Sequence, residues 1–283
     1  MNARRLGAWL LAVVFVAGCS GPGASGSAGT ATAVAPSATA SPAASAAVVE
    51  LTVYGAASLK GALEAVKAAY KTAAPAVSLT VATDASSTLR TQIEQGAPAD
   101  VFLSADQTDP TTLVEGGLAD GSAVDFAGNT LAVIVPVANP AGITSPADLA
   151  RSGVKIIAAG ANVPIAEYAT QVVGNLAGTG GYPAGFAAAY DENVVSKEDN
   201  VKAVVAKIEL GEGDAAIVYL TDAKSSTKVK TIEIPAESNV PATYAGVVIK
   251  ASPNAAAAHD FLTWLAGPEG QAVLGGFGFV PPS

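Results

Sequence analysis

In 283 residues this chain has one cysteine, one histidine and one methionine, and only 14% of its residues are charged. A single cysteine, Cys19, excludes an intramolecular disulfide in any compartment. With His259 the only histidine and no cysteine beyond position 19, a metal centre assembled from those two residue types is excluded as well. A Ser-His-Asp arrangement would have to use His259, which shares a helically spaced stretch with Phe261, Leu262 and Leu265. The chain also has no G-x-S-x-G elbow to carry a nucleophile. Nothing here points to catalysis. Basic residues number 15 against 24 acidic ones, a net charge of −9, which argues against a nucleic-acid partner. It leaves a small anion open, because such a ligand can be held by backbone N–H groups and hydroxyls inside a cleft.

Long hydrophobic runs are missing too. Spanning a bilayer takes about 20 apolar residues, and the most apolar stretch, residues 6–17, falls short of that. It follows Arg4 and Arg5 and ends in Val16, Ala17, Gly18 and Cys19. A basic start, a short apolar run and small residues before a cysteine resemble a bacterial lipoprotein signal. Residues 1–18 are then a leader and Cys19 the lipidated residue. Residues 20–47 are nearly all Ser, Gly, Ala, Thr and Pro, with no aromatic and no charge. They have little to bury against the entropy of ordering, so residues 19–47 read as a lipid-anchored tether. The expected location is extracytoplasmic, on the outer face of the cytoplasmic membrane.

The remaining residues, 48–283, are enough for one large domain or two lobes. Residues 49–53 and 77–81 alternate as strands. Leu59, Leu63, Val66 and Tyr70 form a helical stripe, and Leu89 and Ile93 begin another. Residues 100–103, 131–135, 154–159, 215–219 and 244–249 read as further strands. Helical stripes lie over Tyr168, Val172 and Val173 and over Val201, Val204, Val205 and Ile208, and two helices close the chain at 255–265 and 268–274. This alternation predicts an α/β fold with mainly parallel sheets flanked by helices. Periodicity alone leaves one wide sheet and two lobes both open.

Several helices open with anion-binding equipment. Gly55, Ala56, Ala57 and Ser58 lead from the first strand into a helix, and Ala85, Ser86, Ser87 and Thr88 do the same for the next. Val163, Pro164 and Ile165 open a third, with proline suited to a first helical position, and Asp199, Asn200 and Val201 a fourth. Each start presents free N–H groups and a partial positive charge. A serine before a helix is usually just a cap, worth about 1 kcal/mol. In parallel α/β sheets, however, strand ends and helix starts gather on one edge, where ligands bind.

Residues 53–59 (V-Y-G-A-A-S-L) and, above all, residues 92–105 (Q-I-E-Q-G-A-P-A-D-V-F-L-S-A) resemble the molybdate-binding protein family. Asn129 to Val133, Val163 with Pro164, residues 216–219 and the closing G-F-G-F of 276–279 extend the resemblance over essentially all of residues 49–281. It implies a type II periplasmic-binding-protein fold. Lobe 1 would comprise residues 48–132 with 240–283, lobe 2 residues 133–239, and the ligand cleft would lie between them. It also implies a monomeric solute-binding protein of an ABC importer that hands molybdate or tungstate to a permease and its ATPase, without a cofactor. Carried onto this sequence, the oxyanion is held by the hydroxyls of Ser58 and Ser86, the backbone N–H groups of Ile165 and Val201, and the hydroxyl of Tyr219. No side chain ligates the molybdenum itself. Two places depart from the pattern: Ile165 stands where small residues are usual and is followed by Ala166 in place of the usual glycine, and Asp84 brings a carboxylate close to Ser86. That carboxylate has to face outward or pair with a base such as Arg90. Asp100 and Ser104 read as structural. Competing readings are the same fold serving sulfate or phosphate, or an anchored adhesin with no small ligand.

Overall fold

The computed structural model describes residues 48–282; the leader, the Cys19 anchor and the tether all lie outside the described residues. β1 (Val49–Ala56) leads through one 3-10 turn into α1 (Lys60–Ala73), which buries Leu63, Val66 and Tyr70, the stripe read from the sequence. β2 (Val77–Asp84), α2 (Ser86–Glu94), β3 (Val101–Leu103) and α3 (Thr108–Glu115) complete two further βα steps. Gly96, at φ +88°, makes the left-handed turn that ends α2. β4 (Val124–Asn129) and β5 (Leu131–Pro136) follow, separated by Thr130 alone.

The second half continues with β6 (Ile156–Ala159), α4 (Pro164–Gly178), α5 (Phe186–Glu192), β7 (Val194–Glu198), α6 (Val201–Glu209), β8 (Ala216–Tyr219), α7 (Leu220–Ser225) and β9 (Val229–Glu233). β10 (Ala242–Val248), α8 (Ala255–Ala266) and α9 (Pro268–Gly275) return to the first half. One sheet has the order β2-β1-β3-β10-β4 and another the order β8-β5-β9. The β6–β7 pair joins the second sheet's end through a parallel bridge from Ile156 to Ala215. The chain thus passes from one sheet to the other at Thr130 and comes back between Glu233 and Ala242. Asn239 clasps this junction: its Oδ1 accepts from the Leu131 N–H at 3.0 Å and its Nδ2 donates to the Leu131 carbonyl at 2.8 Å.

The sheets are mixed rather than mainly parallel. β1 pairs in parallel with β2 and β3, and β6 with β7, as βα repeats require. The strands next to the two passages, β4, β5, β9 and β10, pair antiparallel. A strand that enters a sheet from the other half has no crossover helix to set it parallel. Side chains alternate across the first sheet as the pleat demands. Val101 and Leu103 join the large core shared with α1 and α8, while Phe102, between them, packs under α2 and α3 with Leu89, Ile93, Leu113 and Val247. Phe102 is fully buried, so truncating it to alanine costs about 3–5 kcal/mol. Among the described residues no helix is long and apolar enough to cross a membrane.

Candidate functional site

Four chain segments that each begin a helix meet at one point. Ala56, Ala57 and Ser58 come from the end of β1, Ala85 and Ser86 from the start of α2, Val163, Pro164 and Ile165 from the start of α4, and Val201 from the start of α6. With Ala105 and with Tyr219, the last residue of β8, they line a small cavity of about 10 Å³. A wider cleft of about 650 Å³ adjoins it, lined by Asp84, Ser87, Arg90, Asn162, Val163 and Asp199 among others. The five residues selected from the sequence therefore face one small space, although they are spread over more than half the chain.

Neither serine is a helix cap. Ala56 and Ala85 hold the cap positions, and no side-chain cap bond is made at either start. Ser86, 1% exposed, uses its Oγ to accept from the Ala105 N–H at 3.1 Å. Its own proton is left for the cavity. Ser58 Oγ lies 2.9 Å from the Tyr244 hydroxyl, and both side chains are buried. Ile165 is buried at the second position of α4 and Val201 at the first position of α6, where backbone N–H groups have no intrahelical acceptor. The bulk at Ile165 and the missing glycine at 166 do not disturb this start: the Ala166 N–H donates to the Val163 carbonyl at 2.8 Å, as a helix beginning at Pro164 needs. α6 has a true cap, since Asn200 Oδ1 accepts from the Ala203 N–H at 3.0 Å.

Tyr219 carries the strongest indication of a missing partner. It is 1% exposed, and its hydroxyl is buried without a hydrogen bond. An unpaired buried hydroxyl costs about 1–3 kcal/mol, and native structures rarely leave one. The edge-on rings of Tyr168 and Tyr244, 6.2 Å and 5.5 Å away between centroids, hold the Tyr219 ring in place. Burial, with the neighbouring tyrosines and acids adding to it, pushes the Tyr219 hydroxyl well above its ordinary pKa. It is therefore a neutral donor. No carboxylate, amide or cationic side chain lines the cavity, and among the described residues no group of acids, histidines or cysteines could hold a metal ion.

The charged residues nearby are engaged elsewhere. Asp84 does not pair with Arg90. Its Oδ1 accepts from the Ala85 N–H at 2.8 Å and from Asn200 Nδ2 at 3.0 Å, so the carboxylate is turned to the start of α6 instead of the cavity. Arg90 is committed to Asp109 at 2.7 Å and to Glu94 at 2.5 Å. Asp109 is buried beside Asp106, and its carboxyl is pushed up to about 6, by burial first and by the Asp106 charge next. Ser104 donates to Asp106 at 2.8 Å, and Asp100 accepts from the Thr52 N–H at 2.7 Å, so both have bracing roles. His259, half exposed, lies 3.1 Å from Asp120, away from the cavity. Three residues that frame the site carried no separate indication in the sequence. Tyr244 reads only as the first residue of a strand, Asn129 as the edge of a passage between halves, and Asn200 as one of several helix-start residues.

Comparison with known proteins shows the family. A family model described as bacterial extracellular solute-binding protein matches residues 51–280. The molybdate-binding protein ModA of Mycobacterium tuberculosis is 34% identical over 233 residues, 82% of this chain and 85% of that one. The protein of the same name from Haemophilus influenzae is 30% identical over 243 residues, covering 83% of this chain and 91% of its own. Among solved structures, the Azotobacter vinelandii periplasmic molybdate-binding protein superposes with a TM-score of 0.69 at 25% identity, covering 82% of this chain and all of that one.

Proposed function

Because this chain belongs to the bacterial extracellular solute-binding proteins, and among them to the molybdate-binding family, we propose that it captures molybdate outside the cytoplasmic membrane for an ABC importer. The observation that carries this reading is the buried, unpartnered hydroxyl of Tyr219, which faces a cavity it shares with Ser58, Ser86 and the starts of α4 and α6. Such a cavity offers hydroxyl and N–H protons to a ligand and no compensating cation. A tetrahedral dianion exchanges its water shell for these donors, whose orientation is set before it arrives, so little ordering is left to offset the gain. The protein binds and releases; it is not an enzyme.

At about 10 Å³ the space between these segments has room for about one water, so in this reading a tetrahedral oxyanion is admitted when the halves part and the cage forms around it. In this reading residues 48–132 with 240–283 form one lobe and residues 133–239 the other. The two passages at Thr130 and around Asn239 serve as the hinge, and the contact between Asp84 and Asn200 closes over the anion. A cage sized for molybdate or tungstate makes poor hydrogen bonds to the smaller sulfate. Each bond left unmade costs about 1–3 kcal/mol, so two such losses give roughly a hundredfold preference or more. Cys19 supplies the lipid anchor and residues 20–47 the tether, from which the loaded domain reaches the permease and its ATPase.

Titration calorimetry of the purified protein with molybdate, tungstate, sulfate and phosphate tests the assignment. Tight one-to-one binding of the first two is expected, with the other two far weaker. Silence for all four would overturn it and leave a different ligand or an adhesin role.

A further inference from the structure

The proton of the Ser58 hydroxyl has its direction set from behind the cavity. Asn129 is 3% exposed, and its Oδ1 accepts from the Thr130 N–H at 3.0 Å. A backbone N–H can only donate, so the amide is held one way round and Nδ2 faces the other side. From there it donates to Thr221 Oγ1 at 2.8 Å and to the Tyr244 hydroxyl at 3.4 Å. Tyr244 is fully buried. Having accepted from Asn129, it has its own proton to place, and Ser58 Oγ at 2.9 Å is the acceptor within reach. Ser58 therefore accepts from Tyr244, which turns its own proton away from Tyr244 and toward the cavity. The opposite polarity would aim the Tyr244 proton at the Asn129 NH₂, two donors face to face.

Resting on the oxyanion reading above, we infer that Asn129 and Tyr244 are positioning residues that hold Ser58 as a donor and so bias the cage toward an oxyanion carrying no proton. The remaining groups agree in sense. Ser86 accepts from the Ala105 N–H, which leaves its own proton for the cavity, and the Tyr219 hydroxyl has no protein acceptor for its proton. Hydrogen phosphate brings a proton to a wall whose hydroxyl protons already point inward, whereas sulfate brings none. The two ions share charge and approximate size, so their ratio isolates the proton from every other effect.

The test is competition of hydrogen phosphate and of sulfate against bound molybdate at mildly alkaline pH, where phosphate is present as the hydrogen phosphate dianion. It uses the wild-type protein, Asn129→Asp, Tyr244→Phe and the double variant. Asn129→Asp replaces the donor by an acceptor of nearly the same shape. Tyr244 then donates to it, Ser58 donates to Tyr244, and Ser58 turns a lone pair toward the ligand. Hydrogen phosphate should gain on sulfate by about tenfold in this variant. The added negative charge opposes both dianions alike and drops out of the ratio. In the double variant the gain should vanish, because Tyr244 transmits it. Tyr244→Phe alone keeps the ring packing and should weaken molybdate by several-fold.

A phosphate-to-sulfate ratio unmoved by Asn129→Asp, or a gain that survives loss of the Tyr244 hydroxyl, would overturn the inference while leaving the binding function standing. If Asn129→Asp does not fold, unchanged molybdate affinity in Tyr244→Phe overturns it equally. A wild-type protein that binds none of these ions would remove both the inference and the reading beneath it.

Discussion

Removing the Tyr219 hydroxyl should move stability and affinity in opposite directions. In Tyr219→Phe the ring stays between Tyr168 and Tyr244, and only an oxygen with no protein partner is lost. A buried unpaired hydroxyl is a liability of about 1–3 kcal/mol, so the unliganded protein should be as stable as wild type or more so. At about 2–4 °C per kcal/mol for a domain of this size, its melting temperature should hold or rise by several degrees. With the dianion bound, the same hydroxyl makes a charge-assisted hydrogen bond worth about 1.5–3 kcal/mol. Its removal should weaken molybdate by roughly tenfold to a hundredfold. Calorimetric titration gives the affinity, and a thermal melt without ligand gives the stability. A variant that melts well below wild type would mean the hydroxyl has a protein partner after all. One that binds molybdate with unchanged affinity would take Tyr219 out of the site.

Other outcomes follow from the same geometry. Ser86→Ala should weaken molybdate by about tenfold or more, with about 1 kcal/mol of stability lost because the Ala105 N–H loses its acceptor; titration and melting check the two numbers. Asn200→Ser keeps a capping oxygen for α6 but is too short to reach Asp84. The ligand should then leave roughly tenfold faster, measured by chasing bound molybdate with tungstate, and an unchanged rate would show that the contact does not hold the cleft shut. Asp109 titrates at about 6 in the folded chain against an ordinary 3.8. The folded state therefore binds the proton more readily, and this group makes stability fall as pH rises from 3.8 to about 6. Asp109→Asn, which can still accept from Arg90, should gain on wild type across that window by something on the order of 2–3 kcal/mol. Parallel urea melts at acidic and neutral pH measure the difference, and one that stays constant with pH refutes the assignment.

Much of this molecule is written locally. The stripe of Leu63, Val66 and Tyr70 specifies α1, and the continuous apolar run of β5 specifies a buried strand, because periodicity reports which face of an element leaves water. The same local logic places Ser58, Ser86, Ile165 and Val201 near helix starts and Tyr219 at a strand end, and residues 92–105 identify the family. Strands such as β7 and β9 escaped that reading. Each is five residues long with only two apolar residues and no regular alternation, too short a pattern to stand out.

What tertiary structure alone decided is where polar groups find their partners. Arg90 faces Asp109 and not Asp84, and Asp84 meets Asn200 from 116 residues away. The Ser58 hydroxyl meets Tyr244 from 186 residues away, through a strand that returns to the first sheet only after the chain has built the second. Hydrophobic spacing is a property of one segment, whereas the direction of a hydroxyl proton depends on which donor the fold brings behind it. The residue types at the site are therefore legible in the chain, but the closing of the cage and the polarity of its hydrogen bonds exist only once distant segments have packed.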